Sequence, residues 1–286
     1  MGSLCRITRT VPVLFLMICI AVLCADGEGA LGAETVRING SGCALDMMEP
    51  LVVSYRKIRP DVRIVMEKPL GSSGAIKALV AGVLDIAVSS KPLKPEEIAQ
   101  GASAREYGKT PVLFVTHKNV HRTDISTREA EEIYRGRVRT WQDGKPLRLV
   151  LRPEGDVDTT ILRGLSPGMD TAITAARNRK GMIVAVTDPE SNEMVAATPG
   201  ALGTSGLTSL LVDKPALNRL SLNGVKATVK TLASETYPLA KDIRFITTKN
   251  TPPAALKFLE FVYSAQGRAL AEKSGVLVSV RDRGDK

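Results

Sequence analysis

Three short loops rich in glycine and serine are the first residues in the sequence whose types and spacing suggest chemistry. They read Asn39-Gly40-Ser41-Gly42, Gly71-Ser72-Ser73-Gly74 and Ser89-Ser90-Lys91-Pro92. Small residues let a ligand approach the backbone, and a helix that begins in such a loop offers free N–H groups to an anion. One such loop is an ordinary tight turn, but three at successive strand ends favour an anion-binding crevice.

Arg152 adds a positive charge at the end of a further predicted strand, over 147–151. Its planar guanidinium can hold an oxyanion through two hydrogen bonds. The alternative is a surface arginine paired with Glu154 or Asp156. His117 and His121 lack an acidic or cysteine partner nearby, so they are interpreted as exposed loop residues and not as metal ligands.

The elements that must position these loops alternate between strand-like and helical patterns, which predicts an α/β fold. Predicted strands cover 35–38, 62–66, 84–88, 111–116, 147–151 and 243–247. Predicted helices cover 45–58, 71–81, 95–100, 126–135 and 254–263, with a further helix to about 273. Ser126 is expected to cap its helix in a capping box with Glu129, and Trp141 is expected to pack in a core.

The first 33 residues have the layout of a secretory signal peptide. Two arginines precede an apolar run over 11–23, which is too short for a comfortable membrane span. Cleavage is predicted after Ala25 or Ala33. An uncleaved anchor and a lipid-modified Cys24 are the alternatives.

Composition excludes several classes of protein. The 286 residues are 44% hydrophobic and 24% charged, as in globular proteins and unlike fibres or disordered tails. Aromatic residues make up only 4%, too few for a sugar-binding cleft or a groove that stacks single-stranded bases. The net charge of +9 is spread along the chain, so no nucleic-acid partner is predicted. Only Cys43 remains after the leader, which excludes an intramolecular disulfide.

Taken together, these blocks resemble the phosphate-type solute-binding proteins of bacterial ABC importers, the PstS-like family. The resemblance covers nearly the whole chain after the leader. It rests on the three loops and on later segments in matching order: Ile133-Tyr134-Arg135-Gly136, Leu222-Asn223-Gly224-Val225, Thr236-Tyr237-Pro238-Leu239 and Ser264-Ala265-Gln266-Gly267.

The resemblance implies a two-lobed type II periplasmic-binding-protein fold with two crossover strands and the ligand cleft between the lobes. Residues 34–112 and 246–286 would form lobe I, and residues 113–245 lobe II. The implied protein is a periplasmic monomer that captures an inorganic oxyanion, with phosphate favoured. Its closed form would be read by the permease subunits of an ABC importer. The resemblance implies no cofactor, no metal and no catalytic residue.

The ligand shell of the family, carried over residue by residue, gives main-chain and side-chain positions in four segments: Cys43, Ala44, Ser72, Ser90, Arg152, Asp156, Val157 and Asp158. Three departures stand out. Ala44 replaces a threonine hydroxyl, and Ser90 stands where the best-known members place an acceptor aspartate. Asp156-Val157-Asp158 replaces a Ser-Gly-Thr sequence.

Two carboxylates beside a dianion repel it, unless one of them accepts a hydrogen bond from a protonated ligand oxygen. We therefore predict that Asp156 or Asp158 replaces the acceptor missing at Ser90, which favours phosphate over sulfate. If these carboxylates point away, another oxyanion is the expected ligand. A sensor or adhesion protein with a degenerate or altered-ligand cleft is the alternative function. An exported phosphoesterase is a third, but the sequence lacks a metal set and an activated nucleophile for it.

Overall fold

The computed structural model describes Gly2 and residues 34–279, so the rest of the predicted signal peptide, its cleavage sites and Cys24 lie outside the described residues. The strands are β1 (Glu34–Gly40), β2 (Val62–Met66), β3 (Ile86–Ser89), β4 (Ala102–His117), β5 (Asp124–Ile125), β6 (Arg148–Leu151), β7 (Ile183–Val184), β8 (Ala201–Gly206), β9 (Leu217–Arg219), β10 (Ser221–Leu222), β11 (Ala240–Thr248) and β12 (Leu277–Val278). The helices are α1 (Gly42–Ile58), α2 (Gly71–Val80), α3 (Pro95–Ala99), α4 (Thr127–Arg135), α5 (Val157–Arg163), α6 (Pro167–Arg177), α7 (Asp188–Ala197), α8 (Leu207–Val212), α9 (Val229–Ala233), α10 (Pro253–Tyr263) and α11 (Ala265–Lys273). In this part of the chain, no helix has the length and apolar character needed to cross a membrane.

One large mixed sheet has the strand order β2-β1-β3-β11-β4-β8-β6-β7. Strand β1 is parallel to β2 and β3, and β6 is parallel to β7 and β8. The long strand β4 pairs antiparallel with β11 through its first part and with β8 through its last part. Strands β4 and β11 therefore link the two parallel groups, and the predicted α/β class with two crossover strands is confirmed.

The two larger hydrophobic cores of the described residues lie against the two parallel groups of strands. The first core is built on β1–β3 with α1 and α10, and its largest buried side chains include Ile38, Met47, Tyr107, Phe245 and Phe258. The second core is built on β6 and β8 with α4 and α6, and it includes Phe114, Ile133, Leu149, Ile173 and Leu202. Strand β4 contributes to both cores. The exact domain boundaries at 112/113 and 245/246 stay a prediction.

Strand β4 is much longer than the predicted segment 111–116. Its first part carries exposed positions at Arg105, Glu106 and Lys109, so the hydrophobic pattern of a buried strand is missing there. Pairing with β11 on one side still fixes this part as a strand. Helix α1 begins three residues before its predicted start and thus contains Cys43 and Ala44.

Local predictions near α4 have mixed outcomes. The Ser126 hydroxyl caps α4 by accepting a hydrogen bond from the Glu129 N–H at 3.1 Å, as predicted. The Glu129 carboxylate pairs with Arg122 instead of closing a capping box. Trp141 is buried in the second core, as expected. The prediction of an exposed loop was wrong for His117, which is buried at the end of β4.

Candidate functional site

The three glycine- and serine-rich loops meet at the carboxyl ends of β1 and β3. The Ser90 hydroxyl donates to the Ser41 hydroxyl at 3.2 Å, and the Ser90 N–H donates to the Ser72 hydroxyl at 3.0 Å. All three serines are buried. The three loops therefore meet, and Ser90 joins them: its hydroxyl bonds Ser41 and its backbone N–H bonds Ser72.

The start of α1 presents its N–H groups to this region. The Cys43 N–H donates to the Asp188 carboxylate at 3.3 Å, and the Ala44 N–H donates to the Ser41 carbonyl at 3.1 Å. Asp188 belongs to α7, so an internal carboxylate already sits at this helix N-terminus, where an anion is favoured. Burial raises the pKa of the Cys43 thiol to about 12, which keeps it protonated and unsuited to nucleophilic chemistry.

Arg152 follows the last residue of β6 and is buried. Its Nε and Nη2 atoms donate to the two carboxylate oxygens of Asp156 at 3.1 and 3.0 Å. Asp156 also caps α5 by accepting from the Asp158 N–H at 2.9 Å. The remaining Nη1 of Arg152 is buried and has no hydrogen-bond partner among the described residues. The arginine is thus paired with Asp156, as one alternative proposed, but it is not on the surface.

Lys241 of β11 lies at the centre of a buried charge cluster, with only 2% of its side chain exposed. Its Nζ is 2.6 Å from Asp158 Oδ1 and also contacts Asp188 Oδ1. Asp158 accepts a further hydrogen bond from the Thr204 hydroxyl at 2.9 Å. Asp188 Oδ2 lies 3.8 Å from Arg152 Nη2, so the two cations share this carboxylate.

The pKa values of the cluster follow from burial and from these partners. Burial alone would raise the pKa of Asp188, but Lys241 and Arg152 outweigh it and lower that pKa to about 2. For Asp158, burial outweighs the attraction of Lys241, and the pKa is raised. Burial would lower the pKa of Lys241, but the two carboxylates raise it well above its usual value. Lys241 and Asp188 are therefore the firmly charged pair, and Asp158 is the group that most readily takes a proton.

A cleft of about 170 Å³ opens beside this cluster. Residues from both sides line it, among them Ser41, Gly42, Gly71, Ser72, Ser73, Lys91, Arg152, Asp156, Val157, Asp188 and Lys241. The volume is below the ~300–1,000 Å³ typical of drug-sized ligands, so the cleft suits a small ligand. Of the predicted site residues, Ser72, Arg152, Asp156 and Val157 line the cleft. The others are buried close behind it: Cys43, Ala44, Ser90 and Asp158.

Other contacts also hold the sides of the cleft together, in addition to the Cys43–Asp188 hydrogen bond. The Lys91 Nζ, after β3, donates to the Gly155 carbonyl before α5 at 2.5 Å. Gly42 lies directly against α7, where an added Cβ would be 2.7 Å from Pro189 Cδ. A larger residue at Gly42 would therefore separate the two sides.

Sequence reasoning missed Lys241, Asp188 and Thr204. Thr187-Asp188-Pro189 has the signature of an ordinary helix start, and the Thr187 hydroxyl does cap α7. Lys241 is separated from Asp188 by 53 residues, so no local spacing connects them. The predicted strand over 243–247 also begins after Lys241, so the sequence pattern did not place this lysine in a strand. The described residues contain no cluster of histidine, cysteine or acidic side chains arranged to hold a metal ion.

A family model described as a PBP superfamily domain matches residues 27–266, and the chain belongs to this superfamily. Among curated proteins, it is similar to the phosphate-binding protein PstS of Borreliella burgdorferi, with 26% identity over 85% of this chain and 90% of that protein. It is also similar to the phosphate-binding protein PstS of Bacillus subtilis, with 24% identity over 84% of this chain and 80% of that protein.

Solved structures show the same fold. A protein from Clostridium perfringens, assigned as a phosphate ABC transporter substrate-binding protein and solved with bound phosphate, superposes with a TM-score of 0.74. The match covers 87% of this chain and all of that one, at 21% identity. At this level of identity the likeness supports the two-lobed fold and does not extend to individual ligand contacts.

Proposed function

We propose that this chain is an exported, periplasmic binding protein that captures a small inorganic oxyanion, phosphate in the first place, for the permease of an ABC importer. The protein acts as a monomer and makes no covalent change to its ligand. The names of the curated relatives support phosphate, and the small cleft supports a compact ligand.

The observation that carries this proposal is the unused donor of Arg152. Its Nη1 is buried beside the cleft and has no hydrogen-bond partner in the described part of the chain, although a buried unpaired donor is costly. The hydroxyls of Ser41 and Ser72 and the buried charge of Lys241 are in the same place. A small oxyanion in the cleft would give this donor an acceptor and would bring a charge that Arg152 and Lys241 both attract.

Selectivity for phosphate depends on an acceptor for its proton. Of the two predicted carboxylates, Asp156 lines the cleft, whereas Asp158 is buried behind it and bonded to Thr204 and Lys241. We assign the acceptor role to Asp156. Two hydrogen bonds from Arg152 hold its side chain in place. A carboxylate in this position accepts a hydrogen bond from a protonated ligand oxygen and repels an unprotonated one.

The sensor or adhesion alternative also has an observation in its favour. Asp188 already occupies the Cys43 N–H and shares both buried cations. If all groups are ionised, two cations face three carboxylates, and the cluster has a net charge of −1. A cleft in this state could serve a different ligand or none.

Calorimetric titration of the purified protein with phosphate and sulfate near neutral pH tests the proposal. We expect tight phosphate binding and little or no heat with sulfate. No response to either anion from a folded sample, checked for ligand retained during purification, would reject the transport function and favour the alternative.

Arg152→Lys tests the role of the guanidinium with less structural risk than Arg152→Ala. It keeps a positive charge near Asp156 but removes the planar guanidinium, which can donate two parallel hydrogen bonds to an oxyanion. We therefore expect at least a tenfold loss of phosphate affinity. Arg128→Lys is the matched control, because Arg128 is exposed on α4 and is not among the residues that line the cleft. Equal affinity in both variants would remove Arg152 from the ligand shell.

A further inference from the structure

A second and larger cavity, of about 420 Å³, lies in the second core region at the start of β6. We call it the arginine groove and define it by Arg139, Arg148 and Arg179 with the apolar residues Val138, Met182 and Ile183. Arg148 is the first residue of β6, whereas Arg152 directly follows the last. At the usual rise per residue, the two arginines are separated by about 13 Å along the strand.

The three arginines of the groove have no acidic partner. None forms an ion pair with a carboxylate in the described part of the chain. Arg139 Nε donates to the Gly136 carbonyl at 2.8 Å, and Arg148 Nη1 donates to the Pro199 carbonyl at 2.7 Å. These contacts orient two guanidiniums and leave most of their N–H donors free.

Arg179 is the least compensated of the three. Its Nε is buried and has no hydrogen-bond partner among the described residues. Its guanidinium packs on Gly136, where an added Cβ would be 2.0 Å from Nη1. Burial and the nearby charge of Arg139 both lower the pKa of Arg179. Two like charges thus converge on the end of α4, and the carbonyls at this helix C-terminus compensate them only in part.

Apolar side chains form the rest of the groove. Val138, Met182 and Ile183 are half-buried, and Leu149 closes the floor from the second core. The volume falls within the range of small-molecule sites, which combine apolar walls with a few convergent polar groups. Guanidinium groups without a carboxylate partner attract an anionic group of a ligand. The apolar walls favour a ligand in which an apolar body is attached to that group.

We propose that the arginine groove is a second ligand site, for a small organic anion that joins a phosphate or carboxylate group to an apolar body. The anionic group binds between Arg148 and Arg179, with Arg139 at its edge. The apolar body packs on Met182 and Ile183. This site is separate from the cleft and does not depend on the function proposed for it.

Methyl NMR of the full chain labelled at methionine tests the groove directly, with Met182 assigned through Met182→Leu. The probe is phenyl phosphate, and inorganic phosphate is the comparison ligand. We expect a saturable shift of the Met182 methyl signal with a dissociation constant on the order of 1 mM or below. Inorganic phosphate should shift it much less, because it lacks the apolar body.

Two double variants and one cleft variant complete the test. Arg148→Gln with Arg179→Gln should abolish the Met182 shift, whereas Arg148→Lys with Arg179→Lys keeps the charge and should retain most of it. Arg152→Lys, at the other end of β6, should leave the shift unchanged. The proposal is overturned if phenyl phosphate produces no saturable shift, if the glutamine variant responds like the parent, or if inorganic phosphate binds equally well.

Discussion

The cleft and the arginine groove lie at opposite ends of β6 and differ in how their cations are compensated. In the cleft, Arg152 and Lys241 are buried and share three carboxylates. In the groove, the arginines are more exposed and form no ion pair with a carboxylate of the residues that the structure describes. A buried cation needs a carboxylate partner within the fold, because an unpaired buried charge is destabilising. An exposed cation is solvated by water and can stay unpaired until a ligand binds. We therefore expect the cleft cations to contribute to both stability and ligand binding, and the groove cations to contribute to ligand binding alone.

The largest expected effect comes from removing the central cation of the cleft. Lys241→Met leaves Asp158 and Asp188 buried without their shared partner, and should destabilise the protein by about 3–5 kcal/mol. Denaturant unfolding followed through Trp141, the single tryptophan, measures this change.

Arg139→Met is the matched control in the groove. It removes an exposed, unpaired charge and should change the unfolding free energy by no more than about 0.5 kcal/mol. Adding Asp158→Asn to Lys241→Met should recover part of the loss, since one buried charge is then removed. If Lys241→Met and Arg139→Met both lowered the unfolding free energy by a similarly small amount, the contrast between the two sites would be contradicted.

The second largest expected effect concerns a buried contact between α1 and α8, beside the cleft, which is uncharged when Asp46 is protonated. The Ser209 hydroxyl donates to the buried Asp46 carboxylate. Burial raises the pKa of Asp46 to about 7, with smaller contributions from the charges of Asp213, Asp188 and Glu49. The folded state thus holds a proton here that the unfolded state has lost above its ordinary pKa near 4.

The sign of the resulting pH dependence is fixed by this raised pKa. The stabilisation is complete below about pH 4 and is lost as the pH rises to about 7, with an upper limit of about 4 kcal/mol. Unfolding at several pH values in this window should show the parent losing stability relative to Asp46→Asn, which cannot ionise. Parallel pH profiles would show that Asp46 has an ordinary pKa in the folded protein.

Much of the fold was predictable because its signals are local. Apolar runs followed by glycine and serine located β1, β2 and β3 within a few residues, and Pro95 marked the first residue of α3. The first part of β4 was not predictable, because its exposed charged residues are fixed by pairing with β11. The overall two-lobed arrangement came from the resemblance and not from these local patterns.

Only the part of the site that the loops form could be predicted from the sequence. Ser72 and Arg152 were expected at the cleft and line it. Lys241 and Asp188 reach the cluster from two segments that are distant in sequence, and each has an ordinary local explanation. The groove was missed for the same reason, since Arg148 and Arg179 come together only through the packing of β6 beside β7.

The third effect tests whether Asp188 competes with the ligand of the cleft. Asp188→Asn removes a negative charge near Arg152 and Lys241 while keeping an oxygen for the Cys43 N–H. A charge within a few ångströms is worth about 1–4 kcal/mol at intermediate dielectric, so anion affinity should rise tenfold or more by calorimetry. Arg148→Gln in the groove is the control and should leave the anion affinity of the cleft unchanged.

Sulfate separates competition from proton acceptance at Asp188. Competition alone predicts that Asp188→Asn strengthens both phosphate and sulfate binding. A fall in phosphate affinity with sulfate unchanged would contradict competition, and would make Asp188 the acceptor in place of Asp156.

The smallest effect compares one glycine at each site. Gly71 in the cleft and Gly136 in the groove have φ angles of +70° and +79°, a region that costs other residues about 1–2 kcal/mol. Alanine at either position should therefore reduce the unfolding free energy by a similar amount. Nothing lies within 4 Å of a Cβ added at Gly71, whereas at Gly136 it would displace Arg179. Gly136→Ala should then weaken the Met182 response to phenyl phosphate, and Gly71→Ala should not. Equal responses in the two variants would show that the groove binds its anion without the Arg179 position that Gly136 allows, which would leave Arg139 and Arg148 as its only anion donors.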